Sequence, residues 1–150
     1  MYTVKFDIEN YLAEYLRGKW GPTIVEIPRD VYLYNLLHSL TKKQPSHVPV
    51  LSGNVEIIIP CRREGNKNPE YYNYVSSGGA ELFNKALKLF FRADLHEFVD
   101  HMKHDKGYTY KDACFLFASQ YGIESIDTES LIKNYYRWKE KVRKKAYVTA

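Results

Sequence analysis

Between Lys133 and Lys145 the chain sets seven Lys or Arg against one Glu, a net +6 in thirteen residues. The remainder carries fifteen basic and seventeen acidic residues, a net −2, so the formal +4 of the whole belongs to one segment. Lys133, Asn134, Arg137, Lys141 and Lys144 recur at steps of three and four, which gathers them on one side of a helix. Such a side has the chemistry of a duplex reader: lysines neutralise phosphates and release counterions, Arg bonds guanine bidentately, and Asn bonds adenine. Double-stranded DNA is the expected partner and these five residues the expected contacts. Asp127 and Glu129 occupy the helix start, where base-reading residues usually sit, so the expected grip is on the backbone with weak base selectivity. An acidic protein would satisfy the same cations, and the alternative reading is a protein-interaction adaptor with no nucleic-acid role.

Other residue sets carry less chemistry. His96, Asp100 and His104 repeat at i, i+4 and i+8, and two of them could share a metal ion. Asp100 stands where a zincin motif needs His, and charged residues at this spacing usually line the solvent side of a helix, so no metal or cofactor is expected. Ser76-Ser77-Gly78-Gly79 could turn backbone N–H groups toward a phosphate, yet lacks the ending of a P-loop and the spacing of a dinucleotide fold. It reads as a flexible junction. Cys61 and Cys114 have no C-x-x-C partner and read as buried or inert thiols. His38 and His47 read as ordinary structural or surface residues, no nucleophile elbow is present, and an enzyme is not expected.

The elements that must position the cationic side follow from periodicity. Residues 2 to 8 alternate as a strand, a helix follows with Asn10 as cap and Gly18 near its end, and residues 24 to 27 form a second strand stopped by Pro28. Asp30 is the expected cap of a helix carrying Val31, Leu33, Tyr34, Leu37 and Leu40, and residues 55 to 59 read as a third strand. Cys61 to Asn68 should be an exposed loop. The expected domains are a small α+β lobe over residues 1–75 and a helical region over 76–150. In the latter, helices are expected over Ala80 to Phe91, over Asp94 to His104 with Asp94 as cap, and over Tyr110 to Gln120. A last helix is capped by Asp127, with Ile126 stapled over Leu131. Leu131, Tyr135, Trp138 and Val142 form its inward seam.

Residues 94–145 thus read as a three-helix unit of helix-turn-helix kind, with Gly122 at the turn. Phe117, Tyr121-Gly122-Ile123, Ser130-Leu131-Ile132-Lys133 and Tyr136-Arg137 give the stretch from Tyr110 to Lys145 a resemblance to the C-terminal helix-turn-helix of small regulators carried by prophages and other mobile elements. It is similar also to the phage middle-operon activators of the Mor type, from whose arrangement the α+β lobe departs. The resemblance implies DNA contact and nothing further; the expected function is that of a regulator or accessory factor of a prophage or mobile element, with the α+β lobe setting the oligomeric state and a homodimer as a further expected partner. A composition of 45% hydrophobic and 27% charged residues suits a globular chain. No apolar run approaches the ~20 residues that span a bilayer, and the N-terminus lacks a secretory pattern, so no membrane partner and a cytoplasmic address are expected.

Overall fold

The computed structural model describes residues 2–61 and 67–149, with side chains through Lys145. Thr3–Phe6 (β1) and Val55–Ile58 (β2) pair antiparallel, Thr3 opposite Ile58 and Phe6 opposite Val55. Val4, Phe6, Val55 and Ile57 point inward, as the two-residue period of a strand requires. The strand expected at residues 24–27 shrinks to a single parallel bridge, where Val25 N donates to Glu56 O and Ile58 N to Val25 O, each at 2.9 Å. Pro28 has no N–H with which to continue a ladder, and Glu26 N is spent on Trp20 O at 3.1 Å. The fold is α+β: one two-stranded sheet and, among the described residues, five helices. None of these helices is long and apolar enough to cross a membrane.

Asn10–Trp20 (α1) and Tyr32–Leu40 (α2) bury Leu12, Tyr15, Leu16, Leu33 and Leu37. Neither starts as the sequence suggested. Asn10 lies inside α1 and its Oδ1 accepts from Asn54, while Asp30 precedes an α2 that has no side-chain cap. The far end of α2 is closed from a distance: Lys67 Nζ donates to the carbonyls of His38, Ser39 and Thr41 at 3.0, 3.2 and 3.0 Å. An ammonium suits the negative end of a helix. The loop expected at 61–68 otherwise lies largely outside the described residues. Gly18 lies near the end of α1, as expected, and is also a crossing point, because a Cβ there would sit 1.9 Å from the Tyr121 carbonyl oxygen.

Ser77–His104 forms one helix of 28 residues (α3) where two were expected. Phe83, Leu87, Phe91, Leu95 and Val99 are buried in unbroken steps of four that pass straight through Asp94, and no Gly or Pro interrupts them. Asp94 therefore caps nothing. The junction expected at residues 76–79 is the ordered start of α3, with Ser76 Oγ accepting from Gly79 N at 3.1 Å. Tyr110–Tyr121 (α4) is capped by Thr109, whose Oγ1 accepts from Asp112 N at 3.1 Å. It ends at Gly122 with φ of 66°, where Ile123 N donates to Ala118 O at 2.8 Å, the bonding of a Schellman turn. Thr128–Thr149 (α5) completes the chain, started by Asp127 Oδ1 accepting from Ser130 N at 2.7 Å. That hydrogen bond holds the exposed Asp127 carboxyl below its usual range. One buried cluster runs from Val4 on β1 to Tyr135 on α5.

Candidate nucleic-acid interface

The frame that carries α5 is set by aromatic packing and short polar ties. The second half of α3 packs on α4 and α5, and α4 packs on α5, so the three helices form a closed unit. The turn between α4 and α5 is tied back to α1, where Glu14 Oε1 accepts from Glu124 N at 3.3 Å and Ser125 N at 2.9 Å. Leu131 and Tyr135 are fully buried, and Tyr135 donates its hydroxyl to Asp100 Oδ1 on α3. Burial, then this hydrogen bond, raises the Tyr135 phenol well above its ordinary value. On the α4 side Lys139 Nζ donates to Tyr110 Oη at 2.9 Å and lies 5.4 and 5.6 Å from the ring centres of Tyr110 and Tyr135. That bond lowers the Tyr110 phenol.

The inward seam is shorter than its spacing suggested. Trp138 is half-buried and Val142 is 46% exposed, bordering an open groove with His104 and Asp105 at the end of α3. The four expected cations, Lys133, Arg137, Lys141 and Lys144, are exposed, and among the described residues none of them forms an ion pair. Asn134 differs from the other four. It is half-buried, and its Oδ1 accepts from His96 Nε2 at 2.7 Å.

His96 is likewise not on a solvent face. It is 5% exposed, stacked on Trp138 with ring centres 4.6 Å apart, and burial lowers its pKa below the ordinary 6.5. The i, i+4, i+8 row is thus split: His96 faces α5, Asp100 serves Tyr135, and among the described residues no group of three His, Cys, Asp or Glu could hold a metal ion. Cys114 is buried, which raises its thiol to about 11, while Cys61 is exposed. Arg92 is the residue that periodicity did not single out: it stands on α3 beside Arg137 and Lys141, more than forty positions away in sequence. No local signal marks such a juxtaposition. Compared with known proteins, the chain matches no family model, no curated sequence and no solved structure.

Proposed function

We propose that this protein binds double-stranded DNA through the outward side of α5, holding the phosphate backbone with little base selectivity. The observation that carries the reading is the row of exposed cations Lys133, Arg137, Lys141 and Lys144, none of them in an ion pair among the described residues, on a helix whose other side is anchored in the core; Asp127 lies within electrostatic reach of Lys133. Weak selectivity follows from what surrounds the row. Glu129 lies in the first turn, Asp127 caps it, and the Asn134 carbonyl oxygen is occupied by His96. The resemblance of residues 110–145 to prophage-type modules supports that DNA contact, and a regulator or accessory role is the reading proposed for it. Fluorescence anisotropy with a random-sequence duplex at several salt concentrations tests it. Each phosphate contact contributes about 0.9 to the slope of log affinity against log salt, so replacing all four cations by Ala should lower the slope by roughly 3 to 4. Absence of binding at low salt, or binding indifferent to salt, refutes the proposal.

A second reading, an adaptor for an acidic protein, is favoured by Tyr136 and Val142, which are 49% and 46% exposed amid the cations. A partner that stays bound after nuclease treatment, on a protein that fails the duplex titration, would favour it over DNA.

A further inference from the structure

Two grooves flank Trp138 where α5 lies against α3, and they differ in charge. One, of about 520 Å³, is bordered by Asp100 and Asp105 as well as by Lys139 and Arg143. The other, of about 450 Å³, is lined by Arg92, His96, Asn134, Arg137, Trp138 and Lys141, with no carboxylate among its lining residues. Its cations come from both helices, Arg92 from α3 and Arg137 with Lys141 from α5. Its floor is neutral: burial disfavours the charged form of the His96 imidazole, which stacks on the Trp138 ring. Asn134 lines the groove with its Oδ1 taken by His96, so what its amide has left to offer a ligand there is the donor Nδ2. Three cations and an amide donor around a neutral floor suit an oxyanion, and guanidinium pairs suit a phosphate in particular.

We propose that the acid-free groove between α3 and α5 is a phosphate site, in which Arg92, Asn134, Arg137 and Lys141 close around one phosphodiester of bound DNA. The proposal rests on the DNA reading and adds α3 to it. The duplex is held in a cleft between two helices as well as along the surface of one.

The test compares two single-charge deletions on α3, Arg92→Ala in the groove and Lys85→Ala on an exposed position outside it. In duplex titrations across salt, Arg92→Ala should lower the slope by about one, equivalent to a roughly threefold smaller loss of affinity between 50 and 200 mM salt, while Lys85→Ala leaves the slope unchanged. Equal effects of the two variants, with duplex binding intact in the parent, overturn the groove and leave the DNA reading standing. Absence of duplex binding in the parent overturns both. The side-chain amide resonances of Asn134 separate the sources of phosphate: saturable displacement by duplex supports the site as proposed. A response to inorganic phosphate but not to duplex overturns the assignment to DNA, and no response to either overturns the groove.

Discussion

On one side of α3 Asp94 accepts a hydrogen bond from Tyr15 of α1 at 2.5 Å, and six residues later Asp100 accepts one from Tyr135 of α5. The two joints share their chemistry, a tyrosine buried against a carboxylate, and both phenols are raised by burial and by that bond. Their surroundings diverge. Asp94 is also paired with Lys19 Nζ at 3.1 Å, where burial works to lower the ammonium but the carboxylate outweighs it and leaves it raised. Around this joint Tyr15 meets Phe91, Phe117 and Tyr121 at centroid distances of 5.0, 6.1 and 5.3 Å, so the ring is enclosed while the Lys19–Asp94 pair stays about a quarter exposed. The α5 joint also gathers rings, with Tyr110, Trp138 and His96 centred 5.1, 5.7 and 6.0 Å from Tyr135, but its ammonium, Lys139, rests on Tyr110 Oη and, among the described residues, forms no ion pair with a carboxylate. A fold can spend its acids on balancing charge where elements must lock; cations left without acids are available to something outside the chain.

The sharpest way to break that comparison is to remove an equivalent ring from each joint. Phe117, fully buried among Tyr15, Phe91, Phe98 and Tyr121, should cost about 3–5 kcal/mol as Phe117→Ala. The half-buried Trp138 gives up less enclosed area, and Trp138→Ala should cost about 2 kcal/mol. Urea unfolding of both variants measures the difference, and equal losses would mean that the α5 joint is as closed as the other. The carboxylates sharpen the same point at smaller scale. Asp94→Ala strands the Tyr15 hydroxyl and leaves the Lys19 ammonium only Tyr121 Oη and water, and should cost about 1–3 kcal/mol, whereas Asp100→Ala strands one hydroxyl and should cost about 1 kcal/mol. Gly122→Ala, at a φ of 66°, should cost about 1 kcal/mol by the same assay, since the turn feeds α5 into its joint.

Much of this architecture could be read from local pattern, and the misses share a cause. Tyr110–Tyr121, the Gly122 stop and the Asp127 cap were each visible in the sequence, because each is decided by residues within one or two turns. The α+β class follows in the same way from the alternation over residues 2–8 and 55–59, of which 3–6 and 55–58 pair as strands. Asp94 departs from the local rule for helix caps because its partners, Tyr15 and Lys19, lie 79 and 75 positions away. An unbroken row from Phe83 to Val99 in steps of four was the stronger signal. The strand at residues 24–27 failed since β-pattern says nothing about whether a ladder has space to continue. In the candidate interface, charge and spacing marked Lys133, Arg137, Lys141 and Lys144, whereas Arg92 and the use of Asn134 depend on how α3 crosses α5. Crossing geometry is set by packing, which no single helix encodes.

The smallest effect concerns proton linkage at the open joint. Burial lowers the pKa of His96; Arg92 lowers it further, while Asn134 and Asp100 oppose the shift without cancelling it. The unfolded chain, with its imidazole near the ordinary 6.5, therefore binds more protons than the folded one in the window just below that value. Stability contributed by the neutral ring is complete above 6.5 and is lost as pH falls through the window toward the lowered folded value. The melting temperature should thus drop between pH 7.5 and pH 5.5 by more in the parent than in His96→Gln, which cannot titrate but can still donate to Asn134. Carboxylates common to both proteins cancel in that difference. Parallel curves would show that the imidazole titrates alike in the folded and unfolded chains, and would place His96 in water instead of under Trp138. The closed joint provides the contrast, because Asp94 already holds an ammonium there and no neutral imidazole has been buried to balance the ring packing.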